Sequence, residues 1–517
     1  MAGSTVSPGV RSWDATTATF DSLSPATGEV LATYQVDGER EVAHAVRRAQ
    51  AAAAWWGGLS FAERRLRLLA WKSGLTRYLP RLAQAVHEET GKPLDDATLE
   101  VVSAILHLDW AARHARDVLR PRRVPTGLLM YNQAASVEYH PLGVVGVIGP
   151  WNYPVFTPMG SIAYALAAGN AVVFKPSELT TGVGLLLADT LADTLTELFG
   201  DDEPVLQVVT GLGETGAALA RSAVQKVAFT GSPGTARKVM AAAAENLTPV
   251  LVEGGGKDAL LVAADADLDA AADAAAWGAM SNAGQTCVGV ERVYVVESVY
   301  PAFLDKLQAR VAGLRPGEDA GAAYGPMTLP GQSDVVERHL RDAVARGGRP
   351  LAGGLDAVRK PFVDPVILVD VPEDSEAVRE ETFGPTVTVT PVPSLADGVR
   401  LANASRYALG SAVFTRSRRA GMTAARSLRA GMTSVNSVVG FVAVPALPFG
   451  GSGESGFGRI HGPDGLREFS RAKSITRQRM RPPVATTTFQ RTGKDLDRLV
   501  TIVTLLHGRL YKPRRRR

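Results

Sequence analysis

Cys287 is the only cysteine in a chain of 517 residues, and its position suggests more than a structural role. It follows an alanine-rich helical run and Gly284, and it directly precedes the strand-like stretch 292–296. A lone thiol is more often a small, buried apolar side chain than a reactive one. A thiol at a junction between a helix and a strand is instead presented on a turn, so a nucleophilic role stays open.

A nucleophilic thiol needs partners, and the sequence offers two. A free thiol with a pKa near 8.5 is only about 3% ionised at pH 7, so it needs electrostatic help. Glu253 closes an apolar strand and precedes three glycines, where a carboxylate can act as a general base. Asn152, in the loop after another strand, carries an amide that can stabilise the oxyanion of a carbonyl substrate. Taken alone, each is also compatible with a solvated polar side chain.

Two glycine-containing strings compete as the site of a dinucleotide. The string 211–216 spells Gly-x-Gly-x-x-Gly after a strand. Since no acidic residue follows about twenty residues later, we interpret it as a turn and a helix start. In the string 230–236, Ser232 can cap a helix that begins at Pro233, which leaves free N–H groups for a pyrophosphate. We therefore predict the cofactor cradle at Gly231 and Ser232.

The elements that must position these residues follow from the hydrophobic pattern. Short apolar runs alternate with helical patterns at 144–148, 171–174, 205–209, 226–230 and 249–252. Such alternation predicts a parallel, doubly wound sheet, whose binding sites lie beyond the carboxyl ends of its strands. Lys175 and Glu178 follow the second run, where they can meet the adenosine ribose. After Glu253 the alternation resumes, with strands at 260–263, 293 and 386–392, so we predict a second α/β domain.

The first 119 residues are expected to be mainly helical from Asp37 onwards, because apolar residues recur every three to four positions. The sequence from Ser60 to Glu63 reads as a capping box. Residues 121–141 form an extended stretch with a Pro-Thr-Gly turn, which predicts a projecting hairpin.

The bulk properties exclude several classes of protein. A hydrophobic fraction of 45% and a charged fraction of 21% are those of a globular protein, and the length implies two or more domains. No signal-peptide pattern and no run of eighteen apolar residues is visible, and one cysteine suits a reducing compartment, so we expect a cytoplasmic protein. The net charge of +4 matches the surplus in the terminal tail, so nucleic-acid binding is not expected. The eight histidines show no metal-ligand spacing, so no metal is expected.

The tail from Pro482 onwards combines an apolar helical pattern with a basic end, Arg514 to Arg517. The apolar positions are Leu499, Ile502, Val503, Leu505, Leu506 and Leu510. Such a segment can lie on an anionic membrane surface. It can equally be a helix that docks on a neighbouring subunit, and the sequence leaves both interpretations open.

Seven motifs, in this order, resemble those of the aldehyde dehydrogenase superfamily, over residues 24–476. They are Pro150-Trp151-Asn152-Tyr153-Pro154, Lys175-Pro176-Ser177-Glu178, Phe229-Thr230-Gly231-Ser232, Glu253 with its glycines and Lys257, Asn282-Ala283-Gly284-Gln285-Thr286-Cys287, Glu381-Thr382-Phe383-Gly384-Pro385, and Pro448-Phe449-Gly450-Gly451. The resemblance implies a Rossmann-like cofactor domain, a catalytic domain and an arm that pairs subunits into a homodimer or homotetramer. The implied boundaries are 1–123 and 142–252 for the cofactor domain, 253–448 for the catalytic domain, 124–141 and 470–481 for the oligomerisation arm, and 482–517 for the tail.

The resemblance also assigns catalytic roles by matching position. Cys287 is expected to be the nucleophile, Glu253 the base, and Asn152 with the Cys287 backbone amide the oxyanion hole. Two departures from the family pattern occur. Gly254 stands where the family usually has leucine, which is expected to loosen Glu253, and Ala236 stands where it usually has glycine, which is expected to alter packing.

The same resemblance implies NAD as cofactor, with NADP accepted by some members. Glu178 favours NAD because a carboxylate can bind ribose hydroxyls and repels a 2′-phosphate. The expected cofactor contacts are Lys175 and Glu178 for the ribose, Gly231 and Ser232 for the pyrophosphate, Glu381 and Phe383 for the nicotinamide half, and Trp151 in the same cleft.

The implied reaction is oxidation of an aldehyde to a carboxylic acid through a cysteine thiohemiacetal and a thioester. Release of the thioester to coenzyme A, a succinate-semialdehyde substrate, and an inactive cofactor-binding scaffold are the alternatives. Apolar residues flank the motifs and favour an uncharged aldehyde, unless they belong to the core: Val155, Phe156, Met159, Trp277, Val288, Val438, Phe441 and Leu447.

Overall fold

The structure, a computed structural model, describes residues 18–127, 130–201, 203–481 and 488–508. The chain divides into two compact units. The larger comprises the chain up to Leu119 together with His140–Arg471, and the smaller comprises Arg120–Tyr139 with the chain from Ala472. Residues 482–487 and 509–517 of the predicted tail, including Leu510 and the four terminal arginines, lie outside the described residues.

Helices and strands are numbered along the whole chain. The helices are α1 (Glu39–Gly58), α2 (Phe61–Thr90), α3 (Leu94–Leu119), α4 (Phe156–Ala168), α5 (Thr181–Phe199), α6 (Gly213–Arg221), α7 (Pro233–Ala244), α8 (Leu268–Met280), α9 (Tyr300–Val311), α10 (Gln332–Ala345), α11 (Glu376–Arg379), α12 (Leu395–Ala402), α13 (Arg418–Ser427), α14 (Gly462–Glu468) and α15 (Gly493–His507). The strands are β1 (Thr19–Leu23), β2 (Val30–Gln35), β3 (Arg122–Val124), β4 (Gln133–Pro141), β5 (Val144–Ile148), β6 (Ala171–Lys175), β7 (Leu206–Val208), β8 (Lys226–Thr230), β9 (Val250–Glu253), β10 (Asp258–Val262), β11 (Val290–Val296), β12 (Arg349–Ala352), β13 (Val358–Arg359), β14 (Phe362–Val363), β15 (Val366–Val369), β16 (Thr386–Val392), β17 (Tyr407–Ala408), β18 (Ser411–Phe414), β19 (Ser434–Val435), β20 (Ser452–Gly453), β21 (Gly456–Phe457) and β22 (Ser470–Gln478).

The larger unit contains two main sheets. The first has six strands in the order β21-β9-β8-β5-β6-β7, and all of its pairings are parallel except that of β21 with β9. The second has seven strands in the order β12-β15-β16-β11-β10-β18-β19, with only the β12 edge antiparallel. Every residue of β5 and β6 is buried, as expected for parallel strands that are covered on both faces. The predicted α/β class with two parallel sheets is confirmed.

Local signals in the sequence account for several element boundaries. Ser60 accepts a hydrogen bond from the Glu63 backbone N–H, and Glu63 accepts one from the Ser60 N–H, so the predicted capping box starts α2. Ser232 caps α7, which begins at Pro233, as predicted. The string 211–216 forms a turn and the start of α6, also as predicted.

Two features of the larger unit are absent from the sequence predictions. The β1–β2 hairpin precedes the first helix. In addition, the chain returns to the first sheet after residue 448, where β21 pairs with β9 and Gly456 lies opposite Glu253. The pairing of β21 with β9 joins segments far apart in the chain, which local periodicity does not report.

The smaller unit is a three-stranded sheet in the order β22-β4-β3, together with α15. Strands β3 and β4 pair antiparallel and form the predicted hairpin. The Arg479 backbone N–H donates to the Asn132 carbonyl at 2.8 Å, which ties the chain after β22 to the start of β4.

Candidate active site

The carboxyl ends of the central strands in the first sheet lie side by side. Ile148 is in register with Lys175 on one side and with Phe229 on the other, and Thr230 is in register with Glu253. The loops that follow these strands therefore converge at one edge of the sheet. Each of the predicted motifs at these strand ends lies in one of these loops.

Cys287 is half-buried on a turn between α8 and β11, as the sequence predicts. The turn begins with three consecutive residues at positive φ, Asn282 (52°), Ala283 (55°) and Gly284 (69°). A Cβ atom at Gly284 would lie 2.0 Å from the Gly384 carbonyl oxygen, so only glycine fits there. This tight turn directs the chain so that the thiol stands at the edge of the sheet.

Glu253 lies beside the thiol. Its side chain is buried, with 3% exposure, and accepts hydrogen bonds from the Gly255 N–H at 3.2 Å and from the Cys287 thiol. Burial raises the pKa of Glu253 to about 7, and the two hydrogen bonds only partly oppose that shift. A carboxylate with a pKa near neutrality is suited to accept and release protons.

The surroundings of Cys287 favour the protonated thiol. Burial is the largest cause of a pKa well above the ordinary value for cysteine, and the charges of Glu253 and Glu381 add to it. A hydrogen bond from the Val288 N–H acts in the opposite direction. Deprotonation of Cys287 therefore relies on the adjacent base Glu253 and not on a nearby positive charge.

The backbone of Gly254 is held by the segment next to β21, and the expected effect on Glu253 stays a prediction. Its N–H donates to the Ser455 carbonyl at 3.1 Å, and a Cβ atom at this position would lie 2.4 Å from the Glu454 carbonyl oxygen. The segment around β21 thus occupies the space that a leucine side chain would need. Ala236 is buried within α7, in agreement with an effect on packing.

Asn152 is held through its side-chain amide and through its backbone carbonyl. Its side-chain amide donates to the Gln285 carbonyl at 2.9 Å, in the turn that carries Cys287. The backbone carbonyl of Asn152 accepts from Lys92 Nζ at 2.8 Å and from the Asn282 side-chain amide at 3.2 Å. These contacts attach the loop after β5 to the turn of the thiol, which places an amide donor next to Cys287.

A buried ion pair that the sequence analysis missed supports this loop. Lys92 Nζ lies 2.6 Å from Glu100 Oε2, and both side chains are almost completely buried. The other oxygen of Glu100 accepts from the N–H groups of Val155 and Phe156, at the start of α4. The available signal is a glutamate on the otherwise apolar stripe of α3, next to Val101.

Replacing Lys92 with methionine is expected to lower the free energy of unfolding by about 3–5 kcal/mol, because Glu100 would remain as a buried charge without its partner. Adding Glu100→Gln should recover part of the loss. The control is Lys72→Met, which breaks the partly exposed pair of Lys72 in α2 with Asp109 in α3; a loss below about 1 kcal/mol is expected. Urea denaturation followed by tryptophan fluorescence measures all three, and equal losses for the two lysine variants would contradict the assignment.

A largely apolar cavity of about 190 Å³ reaches Cys287 from one side. Its lining residues are Lys92, Asp96, Leu99, Glu100, Ser103, Tyr153, Phe156, Thr157, Trp277, Ser281, Asn282, Thr286, Cys287, Val288, Val439, Val442, Phe449, Ile460 and His461. Leu99 and Trp277 are 62% and 53% exposed, so apolar side chains also form its mouth.

Only part of the predicted apolar set lines this cavity. Phe156, Trp277 and Val288 do so, whereas Val155 and Met159 are core residues. Val438 and Phe441 line a separate small cavity, of about 10 Å³, behind β10 and β11. Leu447 is exposed and does not line the cavity at Cys287.

A second cleft, of about 310 Å³, reaches Cys287 from the side of the first sheet. It brings together most of the residues predicted for catalysis and cofactor binding: Trp151, Asn152, Gly231, Ser232, Glu253, Cys287, Glu381 and Phe383. The rings of Trp151 and Phe383 pack edge to face, with centroids 5.6 Å apart. The thiol therefore lies where two cavities of different character meet.

The cleft fits a nicotinamide dinucleotide. Ser232 Oγ accepts from the Thr235 N–H at 3.2 Å, and Pro233 has no N–H, so the Gly234 N–H is the donor that the first turn of α7 offers to a pyrophosphate. A Cβ atom at Gly255 would lie 2.4 Å from Glu381 Oε1, so glycine keeps this part of the cleft open. The Glu381 carboxylate is itself held by the Gly256 N–H at 2.8 Å.

Lys175 and Glu178 lie at the end of β6 and do not line the cleft itself. Their charged groups are 3.6 Å apart, with Lys175 buried and the Glu178 side chain 43% exposed. Burial lowers the pKa of Lys175, and the charge of Glu178 opposes that change. The pair is placed one strand along from the loop of Asn152, at the same edge of the sheet.

Metal chemistry has no visible support in this part of the molecule. Over residues 18–127, 130–201, 203–481 and 488–508, no group of three or more His, Cys, Asp or Glu side chains is arranged to hold a metal ion.

The chain belongs to the aldehyde dehydrogenase family, whose sequence model matches residues 13–475. A 4,4'-diapolycopene aldehyde oxidase from Methylomonas sp is 38% identical over 467 residues, which cover 90% of this chain and 87% of that protein. A glutarate-semialdehyde dehydrogenase from Pseudomonas aeruginosa is 34% identical over 460 residues, which cover 87% and 92%. The crystal structure of lactaldehyde dehydrogenase from Escherichia coli aligns with a TM-score of 0.84 at 30% identity, covering 89% of this chain and 96% of that one.

These likenesses confirm the predicted family and the predicted enzyme class, an NAD(P)-dependent aldehyde dehydrogenase. They do not support the alternative of an inactive scaffold. The names of these relatives refer to different aldehydes, 4,4'-diapolycopene aldehyde in one and glutarate semialdehyde in another. The substrate must therefore be inferred from the cavity.

Proposed function

We propose that this enzyme oxidises a large, uncharged, apolar aldehyde to the carboxylic acid, with NAD as the preferred cofactor. The observation that carries the proposal is the position of Cys287 at the meeting point of an apolar cavity and a cleft with the cofactor motifs. An aldehyde carbon at the thiol would have its apolar chain in one cavity and face the cofactor in the other.

The residues around the thiol suit thioester chemistry. Glu253 accepts the proton of Cys287, and the thiolate adds to the aldehyde carbon. Asn152 and the Cys287 backbone N–H stabilise the oxyanion that forms. A nicotinamide bound in the cleft beside Glu381 and Phe383 would supply the hydride acceptor for this oxidation. Glu253 releases the thiol proton to solvent and then takes a proton from the water that hydrolyses the thioester, which gives the carboxylic acid and frees Cys287.

The charges along the cavity disfavour a semialdehyde. Of the described residues that line it, Lys92 is the only lysine or arginine. The Lys92 ammonium group already donates hydrogen bonds to Glu100 and to the backbone carbonyl of Asn152. Burial holds the pKa of His461 well below its usual range, so this ring is neutral. Asp96 adds a carboxylate that would repel a distal carboxylate of the substrate.

The apolar lining supports an uncharged chain instead. Phe156, Val288 and Phe449 line the cavity, and Leu99 and Trp277 line its mouth. Burial of apolar surface contributes about 25 cal/mol per Å², so each buried methylene should add about 0.8 kcal/mol to binding. The name of the Methylomonas relative, an oxidase of a long polyene aldehyde, agrees with this substrate class.

In a panel of aldehydes, kcat/KM is expected to rise by about fourfold per added methylene from butanal to decanal, until the cavity is filled. Succinate semialdehyde should be turned over at least about a hundredfold less efficiently than decanal. The carboxylic acid should form without coenzyme A, and adding coenzyme A should not change the rate. A preference for succinate semialdehyde, or a requirement for coenzyme A, would overturn the substrate class or the hydrolytic step, respectively.

A matched pair of variants locates the effect in the cavity. Leu99 and Leu106 are both exposed on α3, but only Leu99 lines the cavity. Leu99→Asp should raise KM for decanal by about tenfold and leave that for propanal unchanged. Leu106→Asp is the control and should change neither. Equal KM values for decanal in the two variants would show that the aldehyde does not enter the cavity past Leu99.

The preference for NAD rests on Glu178. Its half-exposed carboxylate at the end of β6 can accept hydrogen bonds from ribose hydroxyls and would repel a 2′-phosphate. Lys175, 3.6 Å away, offsets part of that repulsion. We therefore infer a preference for NAD together with measurable use of NADP.

We also infer a homodimer or homotetramer built through the arm at 124–141 and 470–481. Strand β22 is an edge strand of its sheet, and most of its residues are exposed, so its backbone is open to pairing with another chain.

We infer that the rest of the chain consists of two domains, each built on one of the two main sheets. The cofactor domain comprises residues 1–123 and 142–252, and the catalytic domain comprises residues 253–448.

We further infer a cytoplasmic location, because a catalytic thiol must stay reduced. An apolar substrate favours a position at a membrane surface within that compartment.

A further inference from the structure

Helix α15 presents an apolar face that the protein leaves exposed. None of its residues is buried. At 3.6 residues per turn, Leu496, Val500, Val503 and Leu506 lie on one side, and all four are exposed. Thr501 and Thr504 lie on the polar side, together with Lys494, Asp497 and Arg498.

The sequence on both sides of this helix is rich in lysine and arginine. Residues 471–517 contain fourteen lysines and arginines and only two acidic residues, a net charge of +12. The whole chain has a net charge of +4, so the remaining 470 residues carry −8. The basic surplus thus extends over the whole segment from Arg471 and is much larger than the terminal arginines alone suggest.

We propose that α15 and the basic residues around it bind the surface of an anionic phospholipid bilayer. An amphipathic helix places its apolar face at the level of the acyl chains, and lysine and arginine near the surface add about 1 kcal/mol each. At 1.5 Å per residue the helix is about 22 Å long, shorter than the hydrocarbon core of about 30 Å. Among the described residues, no helix is long and apolar enough to cross a bilayer. The helix therefore lies in the plane of the surface.

The distribution of charge favours a membrane over a second copy of the same face. A second copy of α15 could cover the apolar side chains, but it carries the same sequence and offers no counter-charge to the basic residues that flank the helix. Anionic lipid headgroups neutralise that charge while the acyl chains cover the apolar side chains. The proposal extends the proposed function, since an apolar aldehyde partitions into membranes, but it stands on the helix and the charges alone.

The test is sedimentation of the full-length enzyme with vesicles. The enzyme should pellet with phosphatidylcholine vesicles that contain about 30% phosphatidylglycerol, and at least about tenfold less with pure phosphatidylcholine. Raising NaCl from about 0.1 M to about 0.5 M should weaken binding, because exposed charges are screened. Failure to pellet with anionic vesicles would overturn the proposal.

Two double variants separate the apolar face from the charge. Val500→Glu with Val503→Glu places two carboxylates on the apolar face and should reduce binding by at least about tenfold. Thr501→Glu with Thr504→Glu makes the same change in charge on the polar face and should reduce it by less than about threefold. Equal loss in both variants, or a changed oligomeric state in light scattering without vesicle binding, would show that α15 does not bind lipid through this face. Aldehyde oxidation without vesicles should be the same in both, so failure of this proposal is distinguishable from failure of the proposed function.

Discussion

Replacing Cys287 with alanine should reduce aldehyde-dependent reduction of NAD by at least about 10⁴-fold, because the thiol forms the covalent intermediate and no other cysteine can replace it. The fold should be unaffected, since the side chain lies half-buried on a turn at the junction of two cavities. Steady-state assays with decanal measure the loss.

Binding of the cofactor provides the control for this variant. Trp151 lines the cofactor cleft, so quenching of its fluorescence by NADH should be the same in Cys287→Ala and in the unmodified enzyme. Retention of more than about a tenth of the activity would mean that another group attacks the aldehyde. Loss of NADH binding would instead indicate that the cleft was damaged.

Replacing Glu253 with glutamine should lower kcat by about 10²–10⁴-fold, because the carboxylate acts on both the thiol and the attacking water. The pH dependence should change as well. Burial raises the pKa of Glu253 to about 7, so the active, ionised form prevails above pH 7 and is lost as the pH falls below it. The rate of the unmodified enzyme should therefore rise through pH 7 and level off, and this rise should vanish in Glu253→Gln.

Asp258 provides a matched control, because it is a second buried acid near the thiol. Burial raises the pKa of Asp258 to about 8, and its Oδ1 accepts from the Gly410 N–H at 2.9 Å. Asn at this position keeps that acceptor. Asp258→Asn should therefore retain the rise through pH 7. If the rise vanished in Asp258→Asn and persisted in Glu253→Gln, the assigned base would be wrong.

Features that depend on residues close together in the chain were predictable from the sequence. Ser232 caps a helix through atoms three residues apart, and Glu253 ends an apolar strand. The turn that presents Cys287 is marked by its neighbouring glycine and by the change from helical to strand pattern. In each case the signal and the structure lie within one stretch of chain.

The remaining features depend on contacts between distant segments. Gly254 stands where the family usually has leucine, because Glu454, two hundred residues later, fills the space that a larger side chain would need. Lys92 and Glu100 fix the loop of Asn152 from another part of the chain. The cavity wall is likewise assembled from α3, α4, α8 and the segment around Ile460, so flanking position alone could not distinguish the core residues Val155 and Met159 from the residues that line the cavity.

The most direct test of the account is to trap the thioester. Glu253→Gln enzyme mixed with NAD and decanal should reduce about one equivalent of cofactor per subunit. Mass spectrometry should then show a mass gain equal to decanal minus two hydrogens, on the peptide that contains Cys287. Cofactor reduction without an adduct, or an adduct on another residue, would contradict covalent catalysis by Cys287.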